Sequence, residues 1–156
     1  MKNAKFLIFV IILLFISGSI LKSQTIFGID ISSTKNTDGW ILEKEYKKKA
    51  NEYAKYDVSI WDKISMIEEE GYIFNCKQKD MQNYFIAINE LLYSLGQETR
   101  NESWYESGYY QMDSYKDKEY YISRGKAYFK DIWETEKSMI SLIYDINSIR
   151  INVKFK

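Results

Sequence analysis

The chain has 156 residues, with 22 basic and 22 acidic side chains, one cysteine, and neither histidine nor proline. The missing histidine excludes Ser-His-Asp and Cys-His mechanisms, His-ligated zinc and the usual physiological pH switch. A lone Cys76 excludes an internal disulfide, so stability has to come from packing, and Cys76 itself reads as a small buried apolar residue.

The N-terminus carries an address. Lys2 and Lys5 precede an unbroken apolar run of eleven residues, Phe6 to Ile16, and small residues follow at Ser17, Gly18, Ser19 and Ser23. That is the layout of a secretory signal peptide. The run falls short of the roughly 20 apolar residues that a membrane span needs. Cleavage is predicted after Ser23, with Ser19 as second choice. Extended to Leu21 the run reaches sixteen residues, and an uncleaved N-terminal membrane anchor is the alternative. No cysteine near its end offers a lipoprotein acceptor.

Removal of residues 1–23 leaves Gln24–Lys156, 133 residues, enough for a single small domain with one core. Lys2, Lys5 and Lys22 leave with the leader, so 19 basic residues face 22 acidic ones, a net charge of −3. A mildly acidic chain without a basic run argues against nucleic acid and against an anionic membrane surface.

Thr25 to Ile31 reads as a short strand and Ser32 to Gly39 (SSTKNTDG) as a turn-rich loop. Trp40 to Tyr56 is predicted as a helix: Leu42, Tyr46, Ala50, Tyr53 and Ala54 make an apolar stripe, and Glu43–Lys47 and Glu45–Lys49 are spaced four apart. Asp57 to Gly71 leans to helix, although Ile60, Ile64 and Met66 also suit one face of a strand. Tyr72 to Cys76 reads as a strand.

The clearest element is a helix from Asp80 to Leu95. Met81, Tyr84, Phe85, Ile88, Leu91, Leu92 and Leu95 recur at helical spacing, Asp80 is placed to cap the start, and Gly96 ends the run.

Gln97 to Ser107 reads as a loop, Tyr109 to Ser114 as a short strand or irregular segment, and Asp113 to Glu119 as a turn. Strands are then predicted over Glu119–Ile122, Ala127–Trp133, Met139–Tyr144 and Ile149–Phe155, the last with clean apolar/polar alternation. A single long helix over Ala127–Tyr144 is the rival reading there, and the charged Glu134–Lys137 stretch speaks against it. The fold class expected is α+β: helices in the first half, and a C-terminal antiparallel β-meander packed on the 80–95 helix.

Candidate chemistry is sparse. Asp113, Asp117 and Glu119, and the run Glu68 to Glu70, lack the spacing and glycine of a calcium loop, so no metal site is predicted. The glycines are scattered, so no phosphate loop is present. No catalytic residue and no cofactor is assigned. Asn101-Glu102-Ser103 matches a glycosylation acceptor.

The feature with functional pull is an aromatic cluster, Trp104, Tyr105, Tyr109, Tyr110 and Tyr115, with Tyr120 and Tyr121 just beyond. Tyr and Trp give large contact area at small entropy cost and carry a polar handle, as binding surfaces require. The competing account is that these rings pack under loops.

The expectation is therefore a non-catalytic binding protein of the cell envelope, periplasmic or secreted, with a protein or glycan partner. A weak hydrolase using carboxylates or tyrosine is one alternative. A membrane-tethered structural protein is the other.

Overall fold

The computed structural model describes residues 24–46, 50–77, 80–105, 108–109, 115–124, 127–145 and 147–156, with backbone alone at 103–105, 108–109, 115–117 and 127. The predicted signal peptide, residues 1–23, lies outside the described residues.

Among the described residues thirteen elements follow one another: β1 (Thr25–Ile26), β2 (Ile29–Asp30), β3 (Ile41–Lys44), β4 (Glu52–Val58), β5 (Trp61–Ile67), β6 (Gly71–Cys76), α1 (Met81–Leu95), β7 (Arg100–Tyr105), β8 (Gly108–Tyr109), α2 (Tyr115–Ser123), β9 (Ala127–Glu134), β10 (Ser138–Tyr144) and β11 (Ile149–Phe155). Strands β3 to β11 form one nine-stranded sheet in the order β3-β4-β5-β6-β11-β10-β9-β7-β8, and every neighbouring pair is antiparallel. The small β1–β2 hairpin stands apart from it.

This overturns the expected fold class. The chain is mostly β, and its described first half up to Cys76 contains no helix. The stretch predicted as a helix over Trp40–Tyr56 is β3 and most of β4, and Asp57–Gly71 holds the β4–β5 hairpin, β5 and the turn into β6. Pairing across strands decides the matter. Glu43, assigned to an i,i+4 helical pair, instead bonds Lys63 on β5 at 2.5 Å and accepts from the Tyr56 hydroxyl on β4. Ile64 and Met66 are both fully buried on one face of β5, the strand alternation seen beside the helical one. Glu68 to Glu70 form the β5–β6 turn, where Glu69 adopts φ +62°.

Further corrections lie beyond α1. Part of the predicted loop over Gln97–Ser107 is β7. The predicted turn and strand over Asp113–Ile122 are, from Tyr115 on, the helix α2. The C-terminal meander β9–β10–β11 is present, and the long-helix reading of Ala127–Tyr144 falls with it. That meander is one part of the large sheet, joined edge to edge with the N-terminal strands through β11 and β6.

The α1 helix stands as its residues dictate. The Asp80 carboxylate accepts from the Asn83 backbone N–H at 2.7 Å, and Gly96 at φ +84° closes the helix with its N–H on the Leu92 carbonyl. Its buried side chains, Tyr84, Ala87, Ile88 and Leu91, join the main core. That core takes the matching face of the sheet: Phe74, Ile151, Leu142 and Ile140 are fully buried. Burying each such aliphatic side chain contributes about 1.5–3 kcal/mol. The Trp133 indole N–H donates to the Gly96 carbonyl at 2.8 Å and ties the helix end to β9.

The β1–β2 hairpin closes the other end of the core with Ile26 and Ile31, both fully buried. Its turn residues Phe27 and Gly28 have φ +50° and +73°, the geometry of a two-residue type I′ turn. A phenylalanine is strained at positive φ. The Phe27 ring is held edge-on against Trp61, centroids 5.3 Å apart, and its N–H donates to Glu90 on α1 at 2.9 Å.

Candidate functional site

One row of residues crosses seven strands on the α1-covered face: Asn101, Asp131, Leu142, Ile151, Phe74, Ile64 and Lys55. Its centre is apolar. Its two ends are polar.

At the β7–β9 end sits a buried charged network. The Asp131 carboxylate is fully buried and Lys118 of α2 is 2% exposed. The Lys118 ammonium donates to Oδ1 of Asp131 at 2.5 Å, the Asn101 side-chain amide donates to the same oxygen, and the Tyr84 hydroxyl donates to Oδ2 at 2.9 Å. The Lys118 nitrogen also lies 5.8 Å from the centre of the Tyr84 ring and 5.9 Å from that of Phe129. Both charges are shut away from solvent and neutralise each other, so this network fastens α2 and α1 to β9 and presents nothing to a substrate. Asn101, the glycosylation acceptor of the sequence, commits its amide nitrogen to this network.

At the β4 end the row opens into a pocket of about 300 Å³ under the loop from Ile31 to Trp40, lined among others by Asp30, Lys35, Asp38, Trp40, Lys55 and Tyr72. The loop is built from short side-chain-to-backbone bonds. Asp30 accepts from the N–H and hydroxyl of Ser32 at 2.9 and 2.6 Å, Ser33 accepts from the N–H of Lys35 at 3.2 Å, and Asn36 accepts from the N–H of Asp38 at 2.9 Å. Such Asx and Ser turns are what the composition SSTKNTDG favours. Two bonds anchor the loop to the sheet. The Tyr72 hydroxyl donates to the Ser33 carbonyl at 2.5 Å, and the Glu69 N–H donates to the Thr34 hydroxyl at 3.0 Å.

The Trp40 and Tyr72 rings form the apolar wall, centroids 5.9 Å apart. The Lys55 ammonium lies over the Trp40 ring at 4.9 Å. Burial, with the Asp30 charge adding to it, pushes the Tyr72 phenol up to about 12, so this hydroxyl stays protonated and remains a donor. Among the described residues Lys35 and Lys55 have no carboxylate partner, and neither the Asp38 carboxylate nor Oδ2 of Asp30 has a hydrogen-bond partner.

The residues singled out from the sequence fall elsewhere. Trp104 and Tyr105 are on β7, Tyr109 is on β8, Tyr115 begins α2, and Tyr110 lies outside the described residues. The strand register sets Trp104 opposite both Tyr109 and Tyr128, and so brings three aromatic residues into one line at that edge of the sheet. The loop pocket is missed in the sequence because Trp40 reads there as the start of a helix. The usable signal was a tryptophan directly following a loop of turn formers.

Among the described residues no group of three or more Cys, Asp or Glu side chains is placed to hold a metal ion, and no helix is long and apolar enough to cross a membrane. Cys76 is buried, 1% exposed. Comparison with protein-family models, with curated proteins and with solved structures gave no match.

Proposed function

We propose that this chain is an exported, non-catalytic binding protein of the cell envelope or secreted fraction, and that its ligand seat is the Trp40–Tyr72 pocket. The observation that carries the reading is a pre-ordered loop that holds two aromatic rings beside cations and carboxylates lacking described partners. Pre-ordering matters because a ligand then binds without first immobilising the loop. Export rests on the N-terminal layout.

The test follows the tryptophan indole N–H signals by NMR, assigning Trp40 through a Trp40→Phe variant. A fractionated envelope extract is titrated into the purified protein. A saturable shift of the Trp40 signal with Trp133 unmoved supports the reading. An unmoved Trp40 signal with every fraction contradicts it.

The aromatic line at the β7–β8 edge is the second seat, favoured by the register that joins Trp104, Tyr109 and Tyr128. A Trp104→Ala/Tyr109→Ala variant that loses an envelope partner while the Trp40 signal stays silent would move the site there.

A further inference from the structure

We propose that the loop pocket takes a single neutral pyranose unit of a glycan; this rests on the binding-protein reading above and names its ligand class. Three observations on the pocket converge on that chemistry.

Size comes first. A cavity of about 300 Å³ stands at the lower end of the roughly 300–1,000 Å³ range of small-molecule sites. It has room for one sugar ring.

Charge comes second. The lining pairs two carboxylates, Asp30 and Asp38, with two ammonium groups, Lys35 and Lys55. An anionic ligand drawn to the lysines meets both carboxylates, and a cationic ligand drawn to the carboxylates meets both lysines. A neutral polyhydroxylated ring is repelled by neither. Each of its hydroxyls donates to Asp30 Oδ2 or Asp38 and accepts from Lys35 or Lys55, so it uses both signs of the lining at once.

The wall is third. A pyranose has an apolar C–H face as well as its hydroxyls, and the part-exposed Trp40 ring, backed by the buried Tyr72 ring, offers an apolar surface beside the charged groups. In the free protein the Lys55 ammonium covers the Trp40 ring at 4.9 Å. Such a contact is worth about 0.5–1 kcal/mol at an exposed site, so the ligand can displace it and gain Lys55 as a hydrogen-bond donor. The fixed Tyr72–Ser33 bond holds the wall and the loop in register while this exchange occurs.

The experiment titrates the full chain with methyl α-glucopyranoside, methyl β-galactopyranoside and methyl N-acetyl-β-glucosaminide, with glucuronate, glucosamine and a lysine-containing dipeptide alongside, and reads the Trp40 indole signal. The expected result is a saturable shift with at least one neutral glycoside, whose affinity, followed by titration calorimetry in the variants, is weakened at least tenfold by Trp40→Ala and measurably by Asp38→Asn. The second variant changes an exposed side chain and keeps the test decisive if Trp40→Ala does not fold. A stronger response to a charged probe than to every neutral glycoside overturns the sugar assignment and leaves the binding pocket standing. Silence with all six probes, together with a Trp40 signal that responds to some envelope fraction, also overturns the sugar assignment alone. Silence with probes and envelope fractions alike overturns both.

Discussion

The Tyr84 hydroxyl of α1 donates at 2.9 Å to one oxygen of Asp131, while the other oxygen of that carboxylate holds the Lys118 ammonium of α2 at 2.5 Å. One buried side chain on β9 therefore fastens both helices to the sheet. Breaking a buried ion pair by removing one partner leaves an uncompensated charge and costs about 3–5 kcal/mol. Lys118→Met and Asp131→Asn should each lower urea stability by about that amount, and Tyr84→Phe by about 1–2 kcal/mol. The Lys118→Met/Asp131→Asn pair should be less destabilised than the sum of those two single variants. Losses under 1 kcal/mol for both single charge variants would contradict the fastening role.

Gly71 opens β6 at φ +136°, paired with Lys154 of β11. A Cβ there would run into the carbonyl of Val153, which is backbone of the neighbouring strand and has nowhere to go. Gly71→Ala combines that clash with a backbone angle that L-residues rarely adopt. It should cost about 3 kcal/mol or more, or prevent folding, where a surface substitution stays within about 0.5 kcal/mol. Denaturant midpoints compared with those of Gly28→Ala, whose Cβ would meet nothing within 4 Å, separate the clash from positive φ alone.

Tyr72 and Tyr144 are both pushed up to about 12, in each case first by burial and then by a carboxylate, Asp30 for Tyr72 and Asp80 for Tyr144. In the unfolded chain these phenols ionise near the ordinary value of about 10. Between pH 10 and 12 the folded state thus binds more protons than the unfolded one, and stability falls as pH rises. The contribution is complete below pH 10 and is lost through pH 12. Phenolate absorbance followed together with circular dichroism should show these two residues ionising only as the fold is lost. Their ionisation near pH 10 in the intact fold would contradict the burial argument.

The Asp80 cap satisfies the Asn83 N–H at 2.7 Å at the start of α1. Asp80→Ala should lower stability by about 0.5–2 kcal/mol, while Asp80→Asn or Asp80→Ser should lose much less. Thermal unfolding of the three variants measures the ranking, and an equal loss in all three would mean the carboxylate acts by charge rather than by capping.

The α1 helix was legible because its period, its cap and its terminating glycine all lie within the segment itself. The last strand was legible because Ile149, Ile151, Val153 and Phe155 alternate with polar residues. The first half was not. Glu–Lys pairs four apart suit a helix, but four is also an even number, so a strand puts the same residues on one face. What chose the strand was bonding between segments, such as Glu43 with Lys63, which no local window contains.

The helix α2 was hidden for a related reason. Its buried residues Lys118 and Ile122 are four apart, yet a lysine reads as solvent-facing until its carboxylate partner, thirteen residues on, is known. The pocket was half legible. The turn chemistry of Ser32 to Gly39 reads as a loop, but Lys55 and Tyr72, which complete the pocket, come from β4 and β6.

The central claim is a binding protein that works outside the cytoplasm, and the intact mass of the protein recovered from its native host, with its compartment recorded, tests it most directly. The account predicts a mass matching Gln24–Lys156 in an exported fraction. A full-length mass retaining Met1 in the cytoplasmic fraction would contradict it, and a full-length mass in the membrane fraction would replace the exported domain with a tethered one.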